Sequence, residues 1–68
     1  MTDFQKAYDL YFREVYRYAV SLCRNESVAE EITQETFYKA LQKLDSFDGK
    51  EKISVWLCQI AKNTYISM

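Results

Sequence analysis

The 68 residues contain no proline, no histidine and one glycine. So few turn formers argue against a β-rich chain, and the apolar content argues against a disordered one. Without histidine there is no imidazole acid–base relay. The common zinc motifs are missing as well, because Cys23 and Cys58 stand alone with no CxxC spacing. Such thiols read as buried and reduced, in a cytoplasmic protein. No apolar run approaches the roughly 20 residues of a membrane span, and no signal peptide opens the chain. The net charge of −1 removes the general basic footprint of a nucleic-acid binder. Any nucleic-acid contact must then be local, or supported by a larger assembly.

What is present is helical and aromatic. Hydrophobic residues make up 49% of the chain, with six Tyr, four Phe and one Trp. A chain this short buries only roughly 60% of its unfolded surface, so its stability margin is thin. Three amphipathic patterns predict an all-α, compact three-helix domain with helices near residues 3–24, 27–44 and 53–67. The first opens on a Thr2–Gln5 capping box near Asp3. Its apolar stripe runs through Phe4, Tyr8, Tyr11, Val15, Tyr18 and Leu22, widened by Phe12, Tyr16, Ala19 and Cys23. Asn25 and Glu26 read as a short connection, so the first two helices should form an antiparallel hairpin.

The second helix reads from a Ser27–Glu30 capping box. Ala29, Ile32, Thr36, Phe37, Ala40 and Leu44 share its core side at 100° per residue. Its other side is a polar stripe: Glu31, Gln34, Glu35, Tyr38 and Gln42. Lys39 and Lys43 lie outside it. A solvated face usually mixes charge signs to gain pairs four residues apart. This one groups acid and amide, which suits a basic partner, although on this pattern alone an ordinary solvated face is favoured. After it, Asp45, Ser46, Asp48 and Gly49 form a turn, and Gly49 alone there takes positive φ freely. Phe47 stands inside that polar loop, as a plug onto the core or a wall for a ligand; the plug is favoured. In the third helix Ile53, Trp56, Leu57, Ile60, Ala61 and Thr64 share one face, and Lys52 is a poor cap. The predicted core is Tyr8, Tyr11, Val15, Leu22, Ile32, Phe37, Leu57 and Ile60. The helical pattern still runs at Met68, which reads as a fragment.

The word order EITQETFYKAL, LDSFDG, VWLCQIAKN is more specific than any periodicity. It resembles the second conserved region of bacterial RNA polymerase sigma factors, in the compact extracytoplasmic-function group. Glu31, Gln34, Glu35, Thr36 and Phe37 meet the pattern of that group's central helix, with Glu31 where Asp is more usual. Phe47, Gly49, Trp56, Leu57, Ile60, Ala61, Lys62 and Asn63 meet the later pattern, and YFREVYRYAVSLCRN fits the first helix. The resemblance covers nearly all of residues 1–68. It implies a region 2 domain without the second helical domain that reads the upstream minus-thirty-five element.

The resemblance also implies roles. Glu31, Gln34, Glu35, Tyr38 and Gln42 would dock on the clamp helices of the largest subunit of the RNA polymerase core. Phe47, Asp48, Gly49, Lys50, Lys52, Trp56, Gln59, Lys62 and Asn63 would hold the non-template strand of the minus-ten promoter element, with one base flipped into the loop. An anti-sigma factor is a further implied partner. No cofactor, metal or catalysis is implied. Lys52 replaces a usual cap, and Ser54 and Gln59 replace usual basic residues, so DNA affinity is expected to be lower than the family norm.

Two other readings stand beside this one. The domain could be a helical interaction module, bound by polymerase or an anti-sigma factor without productive DNA binding. An enzyme is weakly supported: there is no phosphate-cradling Gly-rich loop and no nucleophile elbow. Glu30, Glu31 and Glu35 lack the ligands from several helices that a bundle metal site needs.

Overall fold

The computed structural model describes residues 4–47, 49 and 52–68, without the side chains of Phe4 and Ala7. Thr2 and Asp3, the side chain of Phe4, and Asp48 and Lys50 therefore lie outside the described residues. Three helices carry the fold: α1 (Phe4–Cys23), α2 (Glu26–Gln42) and α3 (Ile53–Ser67). A single 3-10 turn, Leu44–Ser46, follows α2. Each helix packs on the other two, as an all-α domain requires. Among the described residues no helix is long and apolar enough to cross a membrane.

The hairpin between α1 and α2 turns in two residues. Arg24 adopts a left-handed φ of 56°, and its amide donates to the Val20 carbonyl at 2.8 Å, closing α1. Asn25 is then extended, and its Oδ1 accepts from the Val28 amide at 3.0 Å. Asn25, not Ser27, is the N-cap. Ser27 lies inside the first turn and is exposed. The expected capping box fails because a cap of equal quality comes two residues earlier, directly after the chain reverses. At the other end α2 stops at Gln42, not Leu44. Lys43 donates back to the Lys39 and Ala40 carbonyls at 3.0 and 3.2 Å. Leu44, half-buried, belongs to the tighter turn that follows.

The core is Val15, Ala19, Ala29, Ile32, Phe37, Ala40, Leu57, Ile60 and Ala61. Five of the eight predicted core residues are in it. Tyr8 and Tyr11 are half-buried and pack against it, as a phenol needing a wet hydroxyl should. Leu22 is half-buried and outside this cluster. It lies one residue before the end of α1. Phe37 meets Tyr8 at 4.9 Å and 59° between rings and Phe12 at 6.2 Å and 16°.

Three threonines share this interior. Thr33, Thr36 and Thr64 donate to the carbonyls of Ala29, Ile32 and Ile60 at 2.7, 2.7 and 2.8 Å. Each hydroxyl thus finds a partner one turn back on its own helix. Among the described residues no buried side-chain nitrogen or oxygen lacks a partner.

Three substitutions test this packing and the cap by urea denaturation. Phe37→Ala should cost about 3–5 kcal/mol, close to the whole stability of so small a domain. Asn25→Ala should cost about 1 kcal/mol, whereas Ser27→Ala should stay within roughly 0.5 kcal/mol. The reverse order for the two caps would return the N-cap to Ser27.

Candidate functional site

Burying Ala29, Ile32, Thr33, Thr36, Phe37 and Ala40 fixes the rotation of α2. Glu31, Gln34, Glu35, Tyr38 and Gln42 consequently all face solvent, Tyr38 with 60% of its surface exposed. Position within the heptad decides this, since residues three and four apart share a face. Periodicity missed one cation at the edge of that face. Lys39 is half-buried, and its Nζ donates to Thr64 Oγ1 at 3.2 Å. It lines a cleft of about 270 Å³ with Glu31, Ile32, Glu35, Thr64, Ser67 and Met68. Lys39 was separable from the stripe on the wheel, but its reach across to α3 depends on tertiary packing. Lys43 is exposed beyond the last turn.

The loop and α3 bring together some of the predicted DNA-contacting residues. Phe47 is half-buried, its ring 4.7 Å from that of Trp56 with a 35° tilt. It is therefore a lid on Trp56, which in turn packs against the core, and not a plug within the core itself. Gly49 has φ of +77°, and a Cβ there would meet nothing within 4 Å. Only backbone strain would therefore oppose another residue. Lys52 precedes α3 with no side-chain capping bond and is exposed.

Gln59, Lys62 and Asn63 are exposed on α3. Gln59 and Lys62 line a groove of about 370 Å³ against α1, with Glu14, Tyr18, Ser54, Val55 and Cys58. Asn63 lines neither this groove nor the cleft beside α2. From α1 the groove is completed by Tyr18, which the periodicity assigns to the apolar stripe, and by Glu14, which it assigns no role. Burial, and secondarily the Glu14 carboxylate, push the Cys58 thiol above its ordinary value. It is therefore a poor thiolate nucleophile at neutral pH.

Residues 7–68 match the family model described as Sigma-70 region 2. Among curated proteins, the chain is 37% identical over 59 residues to the ECF RNA polymerase sigma factor SigM of Bacillus subtilis. That alignment covers 87% of this chain and 36% of SigM. It is 40% identical over 58 residues to SigW of the same species, covering 85% of this chain and 31% of SigW. It is 37% identical over 62 residues to BldN of Streptomyces coelicolor, covering 88% of this chain and 23% of BldN. The chain thus spans about a third of the length of the first two relatives. No solved structure matches it.

The Phe47–Trp56 contact has a direct spectroscopic consequence, because Trp56 is the one tryptophan. Phe47→Ala should uncover the indole, shift its emission to longer wavelength and cost about 0.5–1.5 kcal/mol. An unchanged emission spectrum would mean that the ring pair does not form in solution.

Proposed function

Because the chain belongs to the Sigma-70 region 2 family, we propose that it is the promoter-recognising module of an extracytoplasmic-function sigma factor, with no catalysis of its own. Its partners in this reading are the RNA polymerase core and promoter DNA, with an anti-sigma factor as a competing partner. The observation that carries the proposal is the exposed face of α2. Five side chains, two acids, two amides and a phenol, are held outward by the burial of the opposite face.

Glu31, Gln34, Glu35, Tyr38 and Gln42 dock on the clamp helices of the largest polymerase subunit. Carboxylates accept paired hydrogen bonds from arginine, which adds geometric specificity to attraction. Lys39, held on Thr64, limits how far the negative field spreads toward α3.

The DNA contacts belong to the loop and α3. Phe47 and Trp56 offer an aromatic surface on which an unstacked base can lie. Asp48 and Gly49 supply backbone donors and acceptors around an extruded base. Gln59 and Asn63 carry amides able to read base edges, and Lys50, Lys52 and Lys62 are available to phosphates. Opening duplex DNA costs a few kcal/mol for each unstacked base. With a net charge of −1 few counterions are released on binding. The isolated domain is therefore a weak duplex binder, and its minus-ten recognition depends on polymerase holding it against an opened strand.

Two experiments separate the halves of this reading. In a pull-down at moderate salt, Glu35→Lys should lose polymerase binding while the domain stays folded. Full retention would remove the α2 face as the docking surface. In fluorescence anisotropy with polymerase present, Phe47→Ala and Asn63→Ala should weaken binding of the single-stranded minus-ten oligonucleotide and leave docking unchanged. If both bind like the parent, the base pocket lies elsewhere. Tight duplex binding by the isolated domain would contradict the charge argument.

A further inference from the structure

The chain has three arginines, and all of them stand on α1 or at its closing residue: Arg13, Arg17 and Arg24. All three are exposed. Arg13 and Arg17 are one turn apart, about 6 Å along the axis. Leu10, with 70% of its surface exposed, lies one turn before Arg13. At 100° per residue these three fall within about 60° of one another, on the side of α1 away from the core.

Acids on the same helix do not pair with these guanidinium groups. Asp9, four residues before Arg13, instead accepts from Gln5 Nε2 at 3.2 Å. Glu14 lines the groove toward α3. Among the described residues neither Arg13 nor Arg17 has a side-chain hydrogen bond or ion pair.

We propose that this outer face of α1 is a second docking surface, separate from α2, and that its partner is an acidic amphipathic helix of another protein. The chemistry selects that occupant. A guanidinium presents a planar fork that fits a carboxylate in two parallel hydrogen bonds. Two such forks one turn apart match two carboxylates spaced by one turn on an opposing helix. A phosphate backbone would use the arginines equally well, but it offers nothing to Leu10. Protein interfaces combine an apolar anchor with a charged rim, which is the arrangement of Leu10, Arg13 and Arg17.

The test uses the 68-residue chain, labelled with nitrogen-15, and a synthetic helical peptide carrying glutamates four residues apart with a leucine one turn beyond. Binding should move the backbone amide signals of residues 9–18 and leave those of residues 31–42 in place. Replacing Arg13 and Arg17 together with alanine should weaken binding roughly tenfold, as loss of charged hydrogen bonds does. Leu10→Ser should weaken it too, and a peptide with glutamine for glutamate should not bind. A peptide that leaves α1 unperturbed, or binds equally well without the arginines, would overturn the proposal. So would a 20-base-pair duplex that shifts the same α1 amides in an arginine-dependent way while the peptide does not, since the face would then be a phosphate contact. Polymerase docking through α2 does not enter either readout, so the two surfaces stand or fall separately.

Discussion

The seam of small side chains along α2 sets the spacing of everything else. Ala29, Thr33, Thr36 and Ala40 are buried on one helix face, and Ala19 and Ala61 are buried on the other two helices. A seam without long side chains lets α1 and α3 approach α2 closely, so the few large residues can fill the remaining space. Phe37, Ile32 and Leu57 do so. In an interior this small each methyl group removed from water matters, because burial contributes only about 25 cal/mol per Å². A larger residue in the seam would push the helices apart and undo contacts on both sides of it.

That constraint also explains the threonines. Valine would have the same shape without a polar atom, yet Thr33, Thr36 and Thr64 occupy buried positions. Each hydroxyl is satisfied within its own helix, so the burial cost of an unpaired donor is avoided. Thr64 does more, since its oxygen also accepts from Lys39. That bond ties α2 to α3 at the edge of the acidic face and places a cation there. The interior and the outer surface are thus coupled through one hydroxyl.

Much of this was legible in residue order. The three helices and the outward acid–amide face follow from period 3.6, because the buried stripe is long and uninterrupted. Local chemistry was harder. Ser27 with Glu30 spells a capping box, but Asn25 wins because the left-handed Arg24 delivers an extended chain to it first. Thr33 reads as polar, and its burial depends on a hydrogen bond to its own helix that composition does not announce. Leu22 fits the apolar spacing and yet is only half-buried and outside the core cluster. Phe47 could not be placed by pattern at all: a lone aromatic in a polar loop has no periodic neighbours, and its partner Trp56 lies across the turn.

The arginines and glutamates are spread unevenly over the helices in a way that the net value hides. All three arginines stand on α1 or at its closing residue and four of the six glutamates stand on α2, while acids and lysines are mixed between residues 45 and 52. The domain measures 35 × 21 × 17 Å, whereas exposed charges are screened over about 8 Å at physiological ionic strength. A partner on one face therefore feels mainly the charges of that face, not the overall −1. One small domain can in this way carry an acidic face on α2 and arginines on α1 without either cancelling the other. Lys39 lines the same cleft as Glu31 and Glu35, so the negative face of α2 carries a cation at its edge, held there by Thr64.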